Sequence, residues 1–452
     1  MKEPTSDDSA SPERRVSTST EAVHAGVPLH RPHHTLAPGI AQTATYTFTD
    51  SADLERYMRG QDSDIDREEY GRYGNPTVRE LETRVAALEG ADDALAFASG
   101  MAAVTTSLFA LTKAGDHVVL FSDCYRRTRQ FVAQTLARFG VEHSMVAPGD
   151  LEALAAALRP NTRCLITESP TNPYLHCVDL EQVTAIVRRH GRIKTLVDST
   201  FATPVNCRPL RFGIDLVVHS ATKYLAGHND VLGGIVAGPQ HLISLLREAR
   251  GVLGGVLDPH AAFLIARGLK TLNLRVERQN RTAHAMALEL ERHPRVKRVF
   301  YPALESHSSH AVARAQMRGY GGVVSFIVEG GRQGAAAVVD GCRMAKIAAS
   351  LGGVETLIEQ PCLMSFSELS EEDLQRIGID PALIRLSVGV EDPGDVLEDV
   401  LGALGALSAL TQLSEGERLD ATFGALLVRL AGGRTRVREG RSNGGTSSTL
   451  AA

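Results

Sequence analysis

The chain has 452 residues, of which 43% are hydrophobic and 22% charged, and its formal net charge is −5. This size and composition predict a globular protein of two or three packed domains. The slightly acidic balance gives no indication of nucleic acid or an anionic membrane as a partner. The sequence contains no run of about 18 or more uncharged apolar residues, so it predicts no membrane-spanning helix.

The cysteines are scattered and form no Cys-x-x-Cys pair, which indicates reduced thiols and a cytoplasmic location. They are Cys124, Cys164, Cys177, Cys207, Cys342 and Cys362. Residues 1–20 lack an apolar core, so we expect a disordered tail there and not a secretory signal. At the other end, residues 411–452 are predicted to form an extension, with a possible amphipathic helix over 417–430 and then a disordered Gly/Ser/Arg-rich tail.

Between residues 78 and 272, helical patterns alternate with short apolar runs. Helices are predicted over 78–88, 101–112, 128–139 and 180–190, and strands over 94–97, 117–121, 164–167, 195–197 and 216–218. Near-continuous apolar strands separated by helices predict an α/β fold with a mostly parallel sheet covered on both faces. Ligands bind such sheets at the carboxyl ends of the strands, where Ser99, Asp198 and Lys223 are placed.

After residue 272 the pattern changes. A long helix is predicted over 275–293, followed by strands over 299–301, 323–327 and 384–388. This order predicts a smaller α+β domain over residues 273–410.

The most informative segment is His-Ser-Ala-Thr-Lys-Tyr-Leu over residues 219–225, which follows an apolar run. The amine of Lys223 can bond covalently to an aldehyde cofactor, and the hydroxyls of Ser220 and Thr222 can hold a phosphate. Upstream, Asp198 ends another apolar run, and a carboxylate there can keep a pyridine nitrogen protonated. Pyridoxal 5′-phosphate (PLP) needs all three groups, because its ring acts as an electron sink.

A second phosphate-binding candidate is the strand-to-helix turn Ser99-Gly100-Met101. Free N–H groups at a helix start form an anion site, and glycine lets the backbone approach a phosphate closely. A plain strand-to-helix turn is the alternative, and the presence of Lys223 downstream favours the anion site.

Four further side chains are candidates for the same pocket. Arg72 can bind a phosphate with two parallel hydrogen bonds, and Tyr70 can donate to the same group, although the segment is also compatible with a simple loop. Tyr125 follows a predicted strand and can stack on a pyridine ring, or it is a core or surface tyrosine. Asn172 can donate to the cofactor's phenolic oxygen, although turn formation explains Asn-Pro equally well.

Arg385 lies on a predicted strand of the second domain. It either faces solvent or clamps a substrate carboxylate with its planar guanidinium, in which case Ser350 would lie nearby. No metal site is predicted, because the histidine groups lack cysteine or carboxylate at ligand spacing. Those histidines are His24, His30, His33, His34, His307 and His310.

From about residue 23 to residue 404 the chain resembles the Cys/Met-metabolism family of PLP enzymes. The motifs are YGRYGNPT, ASGMAA, ESPTNP, VDSTFATP, HSATKYLAGHND, SLGGVETLIEQP and IRLSVGVED. The resemblance implies the PLP-dependent transferase type I fold, with a seven-stranded sheet in a large domain over residues 78–272. It also implies a homo-oligomer, a dimer of dimers, in which an arm over residues 21–77 reaches the neighbouring active site.

The resemblance further implies a role for each matching residue. Lys223 would bind the cofactor covalently, Asp198 would pair with the pyridinium, and Tyr125 would stack on the ring and assist proton transfer. The phosphate would be held by Gly100, Met101, Ser220 and Thr222, joined by Tyr70 and Arg72 of a neighbouring subunit. Asn172, Ser350 and Arg385 would orient an amino-acid substrate.

Within the family, the string DCYRRTR over residues 123–129 is similar to plant-type cystathionine γ-synthases. This implies γ-replacement on an O-activated homoserine by a thiol such as cysteine, in transsulfuration and methionine metabolism. Arg127 stands where methionine γ-lyases have a cysteine. Ala349 stands where many relatives place a glutamate against the distal amino group, so another nucleophile stays open.

Three alternatives remain at this point: a cystathionine γ-lyase, an O-acylhomoserine sulfhydrylase, and a catalytically silent PLP-binding scaffold. The leaving group is also open. Arg126 or Arg127 could bind an anionic group such as phosphate or succinate, because both follow the ring-stacking tyrosine. Ion pairs at a helix start or a subunit interface explain these arginines at least as well.

Overall fold

The structure is a computed structural model that describes residues 17–27, 30–61, 67–367 and 369–411. Its α-helices are α1 Thr18–His24, α2 Ser51–Met58, α3 Pro76–Glu89, α4 Gly100–Leu111, α5 Arg126–Gln130, α6 Leu151–Ala157, α7 Leu180–Arg188, α8 Thr203–Asn206, α9 Gln240–Leu253, α10 Pro259–Leu269, α11 Leu272–Arg292, α12 His310–Gln316, α13 Gly331–Gly341, α14 Glu371–Arg376 and α15 Pro393–Thr411. Short 3₁₀ helices cover Pro32–His34 and Pro209–Phe212, and a π-helix covers Phe131–Leu136.

The strands form two sheets. They are β1 Asp93–Phe97, β2 His117–Phe121, β3 Glu142–Val146, β4 Thr162–Glu168, β5 Lys194–Asp198, β6 Leu216–Ser220, β7 Gly234–Gly238, β8 Val296–Phe300, β9 Val323–Val328, β10 Lys346–Ile347, β11 Leu357–Glu359 and β12 Leu383–Ser387.

The larger sheet has seven strands in the order β1-β7-β6-β5-β4-β2-β3. β7 runs antiparallel to β1 and β6, and the other neighbouring pairs are parallel. Successive residues of β2 pack into different clusters, Val118 and Leu120 in one and Val119 and Phe121 in another. Side chains alternate across a sheet, so both faces of β2 are buried. The predicted mostly parallel, seven-stranded sheet is confirmed.

Two strands of this sheet were not predicted from the sequence. β3 is an edge strand with mostly polar, partly exposed residues, so it carries no apolar run. β7 begins and ends with glycine, which resembles a loop in the sequence. A Cβ on Gly234 would lie 2.2 Å from the carbonyl oxygen of Ser99, so this glycine permits close approach of the two segments.

The predicted helix over 78–88 is confirmed as α3, and its ends have clear local causes. The Asn75 side chain accepts hydrogen bonds from the backbone N–H groups of Thr77 and Val78, with Pro76 in the first turn. Gly90 ends the helix in the left-handed conformation, with φ +71°. The helix predicted over 128–139 begins earlier, at Arg126, and continues as the π-helix.

The smaller sheet has five strands in the order β10-β11-β12-β9-β8. Only the β10–β11 pair is parallel among its described pairs. Phe326 and Leu386 of this sheet share a buried cluster with Met286 of α11 and Val400 of α15. The smaller α+β unit is therefore confirmed, while its boundary at residues 272/273 stays a prediction.

At the amino-terminal side, α1 begins at Thr18, inside the segment predicted as a tail. Residues 1–16 and the possible helix over 417–430 lie outside the described residues. Among the helices that the structure describes, none is long and apolar enough to cross a membrane.

Candidate active site

A cavity of about 420 Å³ lies where the strand ends of the larger sheet meet the smaller sheet. Most of the residues predicted from the sequence line it. They are Gly100, Met101, Tyr125, Asn172, Asp198, Ser220, Thr222, Lys223, Ser350 and Arg385. The structure thus brings together segments that are far apart in the chain, since Gly100 and Arg385, 285 positions apart, share this cavity.

Lys223 lines this cavity from the turn that follows β6. Its Nζ donates a hydrogen bond to Ser350 Oγ over 2.7 Å. Burial, and next the positive charge of Arg385, lower the pKa of Lys223 to about 8, while Glu359 opposes the shift. A partly neutral amine near pH 8 can act as a nucleophile or as a base.

Asp198 ends β5 and faces the same cavity. Its Oδ1 accepts hydrogen bonds from Thr200 N over 3.0 Å and Thr200 Oγ1 over 2.5 Å. Burial raises the pKa of Asp198, and the two hydrogen bonds from Thr200 oppose that rise. Asp198 has no ion-pair partner in the part of the chain that the structure describes, so a ligand cation would stabilise its charged form.

The amino-terminal end of α4 forms a corner of the cavity beside β6. Ser99 caps the helix, since its Oγ accepts a hydrogen bond from Ala102 N over 3.0 Å. A Cβ on Gly100 would lie 2.9 Å from the Cβ of Ser220, so only glycine fits between the helix start and the strand end. Backbone N–H groups of the first helical turn and the Ser220 hydroxyl are therefore close together, as an anion site requires.

Arg385 is held on the opposite wall of the cavity. It lies in register with Glu359 of β11, and its Nη2 is 2.9 Å from Glu359 Oε1. Nη1 donates to Asn172 Oδ1 over 3.0 Å, and Nη2 donates to the carbonyl oxygen of Ser350 over 2.9 Å. Arg385 is only 5% exposed, so the alternative that it faces solvent is wrong. Its Nε has no hydrogen-bond partner among the described residues.

The lining also contains charged and polar residues that were not predicted as site residues, among them Glu168, Thr200 and Glu359. Glu359 pairs with Arg385 across strands that are 26 positions apart in sequence, and no local motif reveals such a pair. Glu168 and Thr200 stand inside the motifs ESPTNP and VDSTFATP, so membership of these motifs was the available signal.

Tyr70 and Arg72 do not line this cavity. They line a separate cavity of about 560 Å³ with residues of the amino-terminal arm. Arg72 Nη1 donates to the carbonyl oxygen of Gly251 over 2.6 Å, and the guanidinium lies 4.8 Å from the ring centre of Tyr73. Their predicted contribution to a neighbouring active site stays a prediction.

Arg126 and Arg127 begin α5, directly after Tyr125, and are not among the lining residues of the 420 Å³ cavity. Arg127 is exposed, and its Nη1 donates to Gln130 Oε1 over 2.7 Å. Tyr125 itself lines the cavity and is 44% exposed. The predicted contact of either arginine with a substrate stays a prediction.

The sequence pattern of the Cys/Met metabolism PLP-dependent enzyme family matches residues 19–405. This chain belongs to that family. The expected PLP dependence and enzymatic function are thereby confirmed. Members of the family act at the γ-carbon of amino acids by elimination and replacement.

Individual relatives carry different names. The chain is 45% identical over 394 residues to cystathionine γ-synthase 1, chloroplastic, of Nicotiana tabacum, which covers 86% of this chain and 72% of the relative. It is 39% identical to an L-methionine γ-lyase of Fusobacterium nucleatum, with 86% and 98% covered. The crystal structure of metB from Corynebacterium glutamicum superimposes with a TM-score of 0.81 at 36% identity, covering 87% of this chain and 98% of that one. The expected fold is confirmed, and the exact activity is left open between these names.

The residues of the cavity fit PLP. An amine, a half-buried carboxylate without an ion-pair partner among the described residues, and a helix start beside a hydroxyl correspond to the aldehyde, the ring nitrogen and the phosphate of the cofactor. The missing side chain at Gly100 is an independent indication, because a Cβ there would fill the corner next to Ser220.

Proposed function

We propose that this enzyme replaces the γ-substituent of an O-activated homoserine with a thiol such as cysteine. The observation that carries the proposal is the contact between Lys223 and Ser350, which places the amine beside Arg385 in one cavity. An amino acid held by its carboxylate at Arg385 would present its carbon atoms to that amine. The 45% identity to a cystathionine γ-synthase supports the synthase direction.

Different residues of the cavity would hold different parts of the cofactor. PLP, when bound, supplies an electron sink that acidifies the carbon atoms next to it. Asp198 would hold a proton on the ring nitrogen, and Gly100, Met101, Ser220 and Thr222 would hold the phosphate. Tyr125 would pack on the ring.

Proton transfer would fall to Lys223. Its pKa of about 8 lies near neutral pH, where a base and its conjugate acid are both populated. The amine would take a proton from the α-carbon and return protons later, with Tyr125 assisting. Arg385 would bind the substrate carboxylate through donors such as Nε, which has no described protein partner, and Asn172 and Ser350 would orient the substrate.

The identity of the second substrate, the nucleophile, has the least support from the residues of the cavity. Ala349 lines the cavity with a methyl group only, so it supplies no carboxylate for the amino group of an incoming cysteine. Cysteine is proposed on the strength of the synthase relatives. A γ-lyase that uses water instead is the second candidate, since a methionine γ-lyase is 39% identical over most of the chain.

A product analysis tests this proposal. Purified holoenzyme is incubated with O-phospho-, O-succinyl- or O-acetylhomoserine, with and without cysteine, and with cystathionine or methionine alone. The expected result is cystathionine, identified by mass, only when an activated homoserine and cysteine are both present. Formation of an oxo acid and ammonia from cystathionine or methionine at a higher rate would replace the synthase proposal with the lyase.

We further propose a homo-oligomer in which Tyr70 and Arg72 complete the phosphate site of a neighbouring subunit. Both lie outside the Lys223 cavity of their own chain, next to an open cavity of the arm. Mixing inactive Lys223→Ala with inactive Arg72→Ala should restore activity if sites are shared, because one mixed site is then intact. Light scattering gives the assembly size, and a monomer would exclude sharing. The cytoplasmic location stays a prediction.

A further inference from the structure

Two carboxyl groups lie side by side at the base of the cavity. Glu168 ends β4 and Asp198 ends β5, and the two residues are in register on neighbouring parallel strands. Neighbouring strands are roughly 4.8 Å apart, and residues in register point to the same face. Both side chains line the cavity.

Glu168 is 4% exposed and has no ion-pair partner among the described residues. Its Oε2 accepts a hydrogen bond from the backbone N–H of Tyr125 over 2.6 Å. Backbone hydrogen bonds from Tyr125 and Asn172 lower the pKa of Glu168, against the larger effect of burial. Among the described residues, the titratable groups whose charges act on Glu168 are acids: Asp198 on β5, and Asp123 and the Cys124 thiol on the segment after β2. A second negative charge at this place would be both buried and repelled.

We propose that Glu168 is a proton-bearing, neutral carboxyl that positions Tyr125 and leaves Asp198 as the single anion at the base of the cavity. Asp198 is the better place for the charge, because Thr200 donates two hydrogen bonds to it and His219 also favours its charged form, whereas the acids around Glu168 favour its neutral form. Burial, and next the charge of Asp198, raise the pKa of Glu168 well above its usual range. This inference rests on the proposed function, in which Asp198 faces the ring nitrogen of the cofactor.

Glu168 is linked to Tyr125 by a direct hydrogen bond to the Tyr125 backbone. Tyr125 precedes α5, and its backbone N–H is bound by Glu168 and by no helix carbonyl, since it stands at the start of that helix. The neutral carboxyl therefore fixes the backbone from which the Tyr125 ring extends over the cavity. Glu168 is a positioning residue in this account, since it acts through Tyr125 and Asp198.

The proton on Glu168 can be measured without turnover. Full-length holoenzyme and Glu168→Gln are compared by infrared spectroscopy at pH 7, where the wild type should show a protonated-carboxyl band that the variant lacks. Thermal unfolding gives a second readout. A carboxyl protonated in the folded state must ionise on unfolding above about pH 4.3, so the wild type loses stability as the pH rises. The midpoint difference, Glu168→Gln minus wild type, should increase from pH 5 to pH 8.

A matched control is Asp123→Asn, which removes a neighbouring acid that is 3.2 Å from His176 Nδ1. Its infrared spectrum should keep the carboxyl band of Glu168. Absence of that band in the wild type, or a midpoint difference for Glu168→Gln that stays constant between pH 5 and pH 8, overturns the proposal.

Activity tests the positioning role. Glu168→Ala removes the acceptor for Tyr125 N and should lower kcat about tenfold, whereas Glu168→Gln, which keeps an acceptor, should restore most of that loss with an unchanged pH profile. Equal losses in both variants would show that an anion is required, and full activity of Glu168→Ala would show that Tyr125 needs no such support.

If the wild type turns over no activated homoserine, the proposed function fails, but the infrared and unfolding measurements still decide the protonation of Glu168.

Discussion

The two walls of the cavity handle buried charge in different ways. On the larger-sheet wall, Asp198 and Glu168 stand at strand ends without a cation in the described part of the chain. On the smaller-sheet wall, Arg385 is already paired with Glu359 over 2.9 Å. A wall of unpaired carboxyls favours a cationic ligand group, whereas a paired guanidinium offers only its remaining N–H groups. The first wall suits the protonated ring of a cofactor, and the second suits a carboxylate that needs orientation.

The largest effect is expected from the residue between the walls. Lys223→Ala removes both the covalent anchor and the base, so turnover should fall by about 10²- to 10⁴-fold or more. Single-turnover measurements with excess PLP check this, with circular dichroism as the control for folding. Retention of turnover within a few-fold of the wild type would mean that another group moves the proton.

Asp198→Asn tests the unpaired wall. The amide keeps the shape but cannot hold a positive ring nitrogen, and loss of a buried charge pair costs about 2–5 kcal/mol. We expect a decrease of about 100-fold in kcat/KM and weaker retention of PLP, measured by cofactor absorbance after dialysis. Thr200→Val is a companion variant, since it removes the Oγ1 hydrogen bond to Asp198 and should give a smaller decrease of the same kind. Wild-type kinetics for Asp198→Asn would contradict the pairing.

Arg385→Lys tests the paired wall. A lysine keeps the charge but not the planar arrangement of donors, so binding of the substrate carboxylate should weaken more than the chemistry. We expect KM to rise about tenfold with a smaller change in kcat, consistent with loss of one well-aligned charged hydrogen bond. The matched measurement uses a substrate amine that lacks the carboxylate, whose KM should be the same in both enzymes.

Burial is the main cause of the lowered pKa of Lys223, and the charges of the paired wall adjust it. Arg385 lowers this pKa and Glu359 opposes the shift. Glu359→Gln should therefore move the acidic limb of the kcat profile to lower pH, because a larger fraction of the amine is neutral there. Arg385→Gln should move the limb to higher pH. Shifts in the same direction for both variants would rule out this electrostatic explanation.

The sequence predicted the two walls unequally, for physical reasons. Lys223, Ser220 and Thr222 lie in one short segment, and Asp198 ends an apolar strand, so local patterns identified the larger-sheet wall. Family resemblance was needed to choose between two environments for Arg385, because a charged residue in a strand is equally typical of a solvent-facing position. Its partner Glu359 comes from another strand, and that pairing depends on the register of the smaller sheet.

The same limit explains the strands that were missed. The sequence of β7 resembles a glycine-rich loop. Its first residue, Gly234, is a strand residue without a side chain because the Ser99 carbonyl approaches too closely for a Cβ. Tyr70 and Arg72 are a different case. Their motif is specific, but one chain places them in a separate cavity away from Lys223, and a site that two subunits share would form only where two copies meet.

The smallest effect is expected outside both walls, at Arg127. This residue is exposed and bonds to Gln130, and exposed charged contacts contribute about 0.2–1 kcal/mol, or at most about fivefold. If it guides an anionic leaving group, Arg127→Ala should reduce turnover of O-phosphohomoserine more than that of O-acetylhomoserine, and added salt should reduce the difference. Arg126→Ala is measured in the same way. Arg138→Ala, an exposed arginine further along the chain, is the control and should change all esters equally. Unchanged relative kinetics for Arg126→Ala and Arg127→Ala would leave these arginines with a role in ion pairs or subunit contacts only.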